Sequence, residues 1–418
     1  MKGLGTKRRW WQSAIVMLIA ALSVFVLSCQ RLKTEHINME SSVQPISAGA
    51  MGSSAPRLGL WVPNTIFALT VSGDETQSQL QLQFSRDGGD TFGKPLILTE
   101  PNARVRGGGE NSPVLATNVR GDIYAAWFQS EAGTTQLMVK PIDPNTGKPV
   151  NVLDADRNSQ AYAGFPTLAA THAGDVYVAW LDERDKAEGS SSVYFSRSND
   201  HGATFNRNMR IATSACVCCR PQIYVAPSGD IYLAWRQVFA GDVRDMVLSH
   251  SGDGGKTFSQ PVRVAVDNWV LHACPDVGPT IGVSGGRLYV AWYSEGQGKP
   301  GIRLAISENG GSTFARPRLA SADVLDATHP RLSVSEDGRV LLTFQGRPAR
   351  EETKWKSNQA FIVEIDGENF THPIQVTNSG HSVHDPDVLA GTAGRVFLAW
   401  TESVNDRNQA VLSRGWMR

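Results

Sequence analysis

A proline followed by an apolar run, a turn and a second apolar run occurs seven times along the chain. The second run ends in an aromatic residue in six of the seven copies, and the clearest copies read GDIYAAW at 121–127, GDVYVAW at 174–180, GDIYLAW at 229–235 and GRLYVAW at 286–292. Successive prolines are 51 to 58 residues apart, at Pro56, Pro113, Pro166, Pro221, Pro279, Pro330 and Pro386. Short strands that recur with such a period are typical of a β-propeller, in which each repeat forms one blade.

Alternating apolar and polar positions predict four antiparallel strands in each repeat. In repeat four these strands are 221–226, 230–236, 245–251 and 261–267. The predicted fold class is all-β, with seven blades, or six as the alternative count. The seventh repeat ends before a fourth strand, and an unpaired edge strand favours aggregation. Residues 43–48 resemble the outer strands of other repeats, so we predict that they pair with the last blade and close the ring.

The N-terminus carries a targeting segment. Four basic residues within the first nine precede the apolar stretch 14–28, and Ser28 stands directly before Cys29. This arrangement resembles the lipobox of bacterial lipoproteins, which implies that Cys29 becomes the lipidated first residue. The alternative is an uncleaved membrane anchor. Gln30 after the cysteine implies a place in the outer membrane.

The sequence therefore predicts three segments: a signal peptide at 1–28, a polar tether at 29–42 and a propeller at 43–418 that faces the periplasm. Its only predicted membrane contact is the lipid anchor. Lys plus Arg and Asp plus Glu number 40 each, so the net charge is zero. No basic run occurs beyond the first nine residues, which argues against nucleic acid as a partner.

Four repeats carry the pattern Ser-x-Asp-x-Gly-x-Thr-Phe after the predicted third strand, with Asn in place of Asp in the last copy. The acidic or amide side chain can bond the amides of its own turn, and glycine takes dihedrals that other residues avoid. The residues at this position are Asp87, Asp200, Asp253 and Asn309. The pattern resembles the Asp-box, or bacterial neuraminidase repeat, of the sialidase superfamily. The resemblance implies a structural role, at the end of the blade opposite to catalysis.

Sialidase chemistry, as the resemblance implies it, needs three arginines that hold the substrate carboxylate, a Tyr nucleophile assisted by Glu, and an Asp acid/base. The Arg-Ile-Pro triplet of the family is missing here, where the corresponding triplets include Ala-Pro-Arg at 55–57 and Gly-Phe-Pro at 164–166. No tyrosine follows Tyr293. The standard catalytic set is therefore not intact, and the residues that remain candidates are Asp182, Arg184, Arg220, Arg236, Tyr293, Glu295 and Arg347.

In an antiparallel blade, the start of the first strand and the end of the second strand lie on one face, where propellers bind ligands around the channel mouth. Residues before the repeated prolines include Glu110, Asn111, Tyr162, Arg220, Asp276, His329, His381, His384 and Asp385. Residues after the aromatics include Gln129, Asp182, Arg236, Tyr293, Arg347 and Glu402. This face is the predicted functional face.

Four cysteines remain besides Cys29, and all are predicted on the functional face, at positions 216, 218, 219 and 274. In an oxidising envelope they are expected to form disulfides. The pairings left open are Cys218–Cys219 with Cys216–Cys274, or Cys274 with Cys218 or Cys219. Redox-active thiols and a copper or other soft-metal site are the alternatives. The candidate metal ligands are Cys216, Cys218, Cys219, His272, Cys274, His329 and His384.

The sequence favours recognition of a carbohydrate or other anionic ligand at this cysteine-bearing face. Two other functions stay open: a glycoside hydrolase with rearranged residues, and a copper-binding or redox protein. No cofactor is expected unless copper binds the Cys and His residues. The sequence leaves undecided whether the protein is an enzyme.

Overall fold

In a computed structural model, the described residues are 37–40, 42–46, 54–61, 64–73, 77–118, 120–131, 133–142, 148–157, 161–186, 190–349, 358–378, 380–405 and 407–417. The predicted signal peptide and the lipidation site Cys29 lie outside these residues. The described part is all-β, with three short 3-10 turns at Gly109–Asn111, Gly296–Gly298 and Thr392–Gly394. Among the described residues, no helix has the length and apolar character needed to span a membrane.

The strands follow the repeats in chain order, and neighbouring strands are antiparallel. Repeat one has β3 Ser54–Trp61, β4 Thr65–Gly73, β5 Ser78–Ser85 and β6 Leu96–Ile97. Repeat two has β7 Arg104–Val105, β8 Val114–Thr117, β9 Ile123–Glu131, β10 Thr134–Pro141 and β11 Val150–Asn151. Repeat three has β12 Ala163–Ala170, β13 Val176–Asp182, β14 Ser191–Ser198 and β15 Met209–Ala215. Repeat four has β16 Gln222–Val225, β17 Ile231–Phe239, β18 Val243–Ser251 and β19 Val262–Arg263.

The remaining repeats continue the same order. Repeat five has β20 Thr280–Ser284, β21 Arg287–Ser294, β22 Gly301–Ser307 and β23 Arg318–Leu319. Repeat six has β24 Val324–Val334, β25 Val340–Pro348, β26 Gln359–Asp366, β27 Asn369–Phe370 and β28 Ile374–Gln375. Repeat seven has β29 Ser382–Ala390, β30 Arg395–Val404 and β31 Arg407–Met417. Two N-terminal strands, β1 Ile37–Met39 and β2 Gln44–Pro45, both pair with β31.

The N-terminal segment covers the outer edge of the last repeat. Gln44 and Pro45, within the predicted strand 43–48, pair with Leu412 and Val411. Residues 37–39 were expected in the tether, but they pair with the far end of β31. Strand β31 is eleven residues long, so the backbone groups along its outer edge can pair with two short strands rather than one.

The described strands form six hydrogen-bonded sheets for seven repeats. The number is one lower because repeats three and four share one eight-stranded sheet, which the single pair Ala215–Gln237 joins. The core consists of clusters that each lie between consecutive repeats. A further cluster joins the last repeat to the first, with Phe397 and Leu412 packed near Leu58 and Ile66. The seven-blade count, and closure of the ring by the N-terminal segment, stay predictions.

A repeated tryptophan lies in five of these clusters, and in four of the five its indole N–H finds an acceptor two residues further on. Trp127 donates to Gln129 at 2.8 Å, Trp180 to Asp182 at 3.0 Å, Trp235 to Gln237 at 2.8 Å and Trp400 to Glu402 at 3.0 Å. Trp292 differs, since it donates to Asp267 at 2.7 Å. These tryptophans are at most 1% exposed, and a buried indole N–H needs a partner. Three residues expected on the functional face, Gln129, Asp182 and Glu402, therefore hold the core.

The Asp-box side chains close tight turns at the other end of the blades. In the second copy, Asp200 Oδ1 accepts hydrogen bonds from the Ser198 hydroxyl at 2.6 Å and from the Thr204 amide at 2.9 Å. Asn309 forms the same two bonds through its own Oδ1. The glycine of each box packs on the preceding repeat, as Gly255 does on Phe195. The geometry therefore fits a structural role for the boxes.

Candidate functional site

A β-bulge lies at the repeated proline in four of the inner strands. The residue before the proline has a positive φ in each, and the pairing register shifts there: Ala55 at 48°, Phe165 at 60°, His329 at 55° and Asp385 at 51°. A bulge adds one residue to one strand, which interrupts the alternation of side chains and re-aims those nearby. Positions on both sides of the proline can therefore face side chains of other repeats.

Two further inner strands are split by an excursion of the chain. Residues 106–113 leave the sheet between β7 and β8, which both pair with β9. Residues 216–221 leave it between Ala215 and β16, which both pair with β17. The first excursion carries Glu110, and the second carries Arg220 and three cysteines.

Charged side chains from six repeats come close together where these bulges and excursions meet, and their charges contribute to the pKa shifts of five of them, Arg57, Glu110, Arg220, Asp276 and His384. We call this set the channel-mouth cluster. Its members are Arg57, Glu110, Arg220, Asp276, His329, Arg331, His384 and Asp385.

Glu110 lies at the centre of the cluster and is 1% exposed. Its Oε2 accepts a hydrogen bond from the Gly278 amide at 3.2 Å, and its Oε1 lies 3.6 Å from Arg331 Nη2. Burial by itself raises the pKa of Glu110, but Arg331 and Arg220 outweigh it and hold the pKa below its ordinary value. The carboxylate is therefore ionised at neutral pH.

Three arginines surround this carboxylate from repeats one, four and six. Arg220 donates from Nε to the Glu110 carbonyl at 2.6 Å and from Nη2 to the Ser112 carbonyl at 2.8 Å. Burial, and then the charge of Arg331, lower the pKa values of both Arg220 and Arg57. Arg57 donates from Nη1 to the Pro56 carbonyl, but its Nε and Nη2 have no hydrogen-bond partner among the described residues.

Asp276 and His384 lie in the outer layer of the cluster, and their pKa values are shifted by causes that differ from those acting on Glu110. Asp276 is exposed at the mouth, yet desolvation and the charges of Glu110 and Asp385 raise its pKa. Burial, and to a lesser extent His329, lower the pKa of His384. Two neighbouring carboxyl groups, Glu110 and Asp276, thus have pKa values displaced in opposite directions.

Asp182 and Arg184, two of the catalytic candidates, lie outside the cluster in a buried network of repeat three. Asp182 is 0% exposed and accepts hydrogen bonds from Arg157 at 2.9 Å and from Arg184 at 2.8 Å. Arg184 also lies 3.2 Å from Asp154 and stacks on the Tyr194 ring. The side-chain partners of Asp182 among the described residues lie inside repeat three or at its border with repeat two, so this network stabilises the fold.

The candidates Arg236, Tyr293, Glu295 and Arg347 lie near one another in repeats four to six. Arg236 is 1% exposed, donates to the carbonyls of Val277 and Tyr293, and stacks on Trp269. Tyr293 donates its hydroxyl to Glu295 at 2.7 Å, so the expected Tyr–Glu pair does form. Burial and Glu295 raise the pKa of Tyr293, which keeps the phenol protonated.

Arg347 is paired with Asp326, to which its Nε donates at 2.6 Å. Of the seven catalytic candidates, only Arg220 belongs to the channel-mouth cluster. Arg57 and Arg331 were not among those candidates, because they directly follow a repeated proline, whereas the candidates were taken from positions before the prolines and after the repeated aromatics. The displaced register of the bulges brings them to the centre. The sequence put Glu110 on the predicted functional face but gave it no chemical role.

The cysteines form one disulfide and one pair of thiols. Cys218 is bonded to Cys274, which is one of the pairings left open by the sequence, whereas Cys216 and Cys219 are free and buried. The sulfurs of Cys216, Cys218 and Cys219 lie within 4.8 Å of one another. Because Cys218 is oxidised in the disulfide, Cys216 and Cys219 are the members of this set that offer thiol ligands to a soft metal ion.

The predicted histidine ligands stand apart from these sulfurs in the part of the chain that the structure describes. His272 Nδ1 lies 2.8 Å from Asp242 at an exposed site, and His329 and His384 belong to the channel-mouth cluster. The seven candidate metal ligands are therefore divided among three places.

A groove of about 1100 Å³ lies at the opposite end of repeats five and six. Arg287, Asp337 and Glu364 are among its lining residues. It follows the turns between first and second strands, so it is separate from the channel mouth.

No protein-family model matches the chain, and no curated protein matches its sequence. Solved structures with a similar fold include a protein of unknown function from Dyadobacter fermentans, with 15% identity, a TM-score of 0.53, and coverage of 92% of this chain and 100% of that chain. The phage phi92 endosialidase has 11% identity and a TM-score of 0.51, over 90% of this chain and 69% of its own.

A Trypanosoma rangeli sialidase also matches, with 11% identity and a TM-score of 0.47 over 91% of this chain, which spans 58% of that sialidase. At such identities the likeness concerns the fold alone. The class that fold and comparisons define is a sialidase-like β-propeller.

Proposed function

We propose that this chain is a lipid-anchored envelope propeller that binds a carboxylate-bearing carbohydrate at the channel-mouth cluster. The observation that carries the proposal is the convergence of the buried Arg57 and Arg220 with the partly buried Arg331, and above all the unpaired edge of the Arg57 guanidinium. Seven blades, closed by the N-terminal segment, would place the cluster around one channel. The anchor rests on Cys29 and its resemblance to a lipobox.

The unpaired atoms of Arg57 lie on one edge of its guanidinium. The Nε and Nη2 hydrogens point in parallel, which matches the two oxygens of a carboxylate. Water is largely excluded there, so a charged hydrogen bond is stronger than at a surface. Because this edge is buried, a ligand reaches it only when neighbouring side chains move aside.

The surroundings suit a sugar. Tyr162 is 37% exposed and accepts a hydrogen bond from Asn111 at 3.1 Å, which fixes an aromatic face beside the mouth. Asp276 adds an exposed carboxyl that can accept bonds from hydroxyl groups. Convergent polar groups with an aromatic neighbour are typical of small-molecule sites.

Binding is favoured over sialidase chemistry by the position of the Tyr293–Glu295 pair. Tyr293 lies beside Arg236, and its raised pKa opposes nucleophilic attack. The three arginines of the cluster belong to other strands. The Tyr–Glu pair and the three arginines, which a sialidase combines in one site, are therefore divided between two places in this chain.

Glycoside hydrolysis through other residues is a second candidate function, favoured by Glu110 and Asp276. Their pKa values are displaced in opposite directions, a property shared by paired carboxyl groups that act as base and acid. Fluorogenic glycosides test it: hydrolysis by the wild type that is lost in Asp276→Asn supports an enzyme.

Titration calorimetry with glucuronate and sialic acid, against the neutral sugars glucose and N-acetylglucosamine, tests the binding proposal. We expect the acidic sugars to bind and Arg331→Gln to weaken them about tenfold or more, since one charged hydrogen bond contributes roughly 1.5–3 kcal/mol. Arg287→Gln, on the opposite end, is the matched control. Equal binding of acidic and neutral sugars, or an unchanged affinity in Arg331→Gln, would contradict the proposal.

A further inference from the structure

The four cysteines of repeats four and five form two pairs in different redox states. Cys218 and Cys274 join the repeats through a disulfide, whereas Cys216 and Cys219 are thiols that are each 1% exposed. Cys274 lies at an exposed position. A buried dithiol therefore stands beside a disulfide that solvent can reach.

The Cys216 sulfur contacts the sulfurs of both other cysteines in its segment, Cys219 and Cys218. The Cys219 thiol donates to Cys216 Sγ at 3.1 Å, and Cys216 Sγ lies 3.9 Å from Cys218 Sγ. Cys216 thus contacts its thiol partner on one side and the disulfide on the other. Exchange between them needs only short displacements of these atoms.

Two arginines favour a thiolate at Cys216. Arg244 Nη1 donates to its sulfur at 3.1 Å, and Arg236 lies nearby. The Cys219 thiol donates to the same sulfur, so two donors converge on Cys216 Sγ, whereas Cys219 Sγ faces no cationic donor among the described contacts. Cys216 is therefore the nucleophile of the pair, since thiolates attack disulfides and thiols do not.

We propose that these cysteines form an intramolecular disulfide relay, in which Cys216 passes electrons from the buried dithiol to the exposed Cys218–Cys274 disulfide. The relay is an activity separate from ligand binding at the channel-mouth cluster.

The relay has two balanced steps. The Cys216 thiolate first attacks Cys218 Sγ, so that the Cys216–Cys218 bond forms, the Cys218–Cys274 bond breaks and Cys274 leaves as a thiolate. Cys219 then releases its proton to water and attacks Cys216 Sγ, which forms Cys216–Cys219 and frees Cys218 as a thiolate. Two electrons have moved from the inner to the outer pair, and no external oxidant is consumed.

The product presents a reduced, exposed Cys274 that can exchange with a disulfide of a small thiol or of another protein. The inner disulfide spans two intervening residues, the spacing of dithiol–disulfide oxidoreductases. The substrate class of the relay is therefore a disulfide, or a dithiol in the reverse direction.

Slow alkylation of the native protein tests the relay. A mass-labelled maleimide is added at neutral pH, samples are quenched in acid, and the remaining disulfides are mapped by mass spectrometry. We expect label to accumulate on Cys274, with a matching increase in the Cys216–Cys219 disulfide, because alkylation traps the exposed product.

Two variants separate the steps. Cys216→Ser should keep the Cys218–Cys274 disulfide and lose labelling of Cys274. Cys219→Ser should still label Cys274, but the disulfide found should be Cys216–Cys218. Unchanged circular dichroism and melting temperature establish that each variant is folded.

Three outcomes would overturn the relay. One is label on Cys216 or Cys219 while Cys218–Cys274 stays intact. Another is equal labelling of Cys274 in wild type and Cys216→Ser. The third is a stoichiometric soft metal ion, measured by mass spectrometry, that holds Cys216 and Cys219 and blocks exchange.

Discussion

Arg220 donates a 2.6 Å hydrogen bond to the backbone oxygen of Glu110 and thereby ties repeat four to repeat two. The two residues lie on the two excursions that interrupt inner strands. The bond fixes the backbone of Glu110 while Arg331 and the Gly278 amide contact its carboxylate. Glu110 is thus held by three other repeats.

Arg220→Ala should lower the free energy of unfolding by about 3 kcal/mol or more, because it leaves the buried carbonyls of Glu110 and Ser112 without their donor and removes one of the positive charges that stabilise the Glu110 carboxylate. Urea denaturation followed by tryptophan fluorescence measures the change. Arg207→Ala, whose side chain is 82% exposed, should change stability by no more than about 0.5 kcal/mol. Similar effects of both variants would show that the excursions are not held together through Arg220.

Asp276→Asn should stabilise the protein at neutral pH. The pKa of Asp276 in the folded protein lies above its ordinary 3.8, so its ionisation costs stability as the pH rises through that folded pKa. Asparagine removes this cost and accepts the positive φ of the position. Unfolding free energies measured from pH 7 to pH 3 should show a gain that disappears toward pH 3. A gain that is independent of pH would point to a cause other than charge.

Gln129→Leu should destabilise the protein by about 1–3 kcal/mol, because the buried indole N–H of Trp127 loses its acceptor. A double-mutant cycle with Trp127→Phe isolates the hydrogen bond from the loss of volume. The double variant should lose less stability than the sum of the single variants. Strict additivity would mean that the indole finds another partner.

Asp200→Asn should alter acid stability without affecting the channel mouth. Partial burial opposes the shift, but hydrogen bonds from Ser198 and Thr204 lower the pKa of Asp200 to about 2 from an ordinary 3.8. Its contribution is therefore present above pH 3.8 and is lost as the pH falls through about 2. The variant, which copies Asn309 of the fourth box, should lose less stability than wild type in that window. Acid titrations monitored by circular dichroism provide the comparison.

The sequence by itself determined the repeat, the all-β class and the position of the Asp-boxes. These features depend on local properties: the alternation of apolar residues, the freedom of glycine, and hydrogen bonds within one turn, as at Asp200. It also placed Glu110 and the four cysteines at the same end of the blades, because strand direction alone sets that end.

Tertiary structure decided which of those residues meet. The bulges at the repeated prolines shift side-chain alternation by one residue, so Arg57 and Arg331 reach the cluster whereas Asp182 bonds Trp180 in the core. The cysteine pairing depended in the same way on distances between two repeats, and sequence spacing does not contain them. Contacts between repeats depend on the strand register and on the conformation of the two excursions. Both are set by many residues that are distant in the sequence.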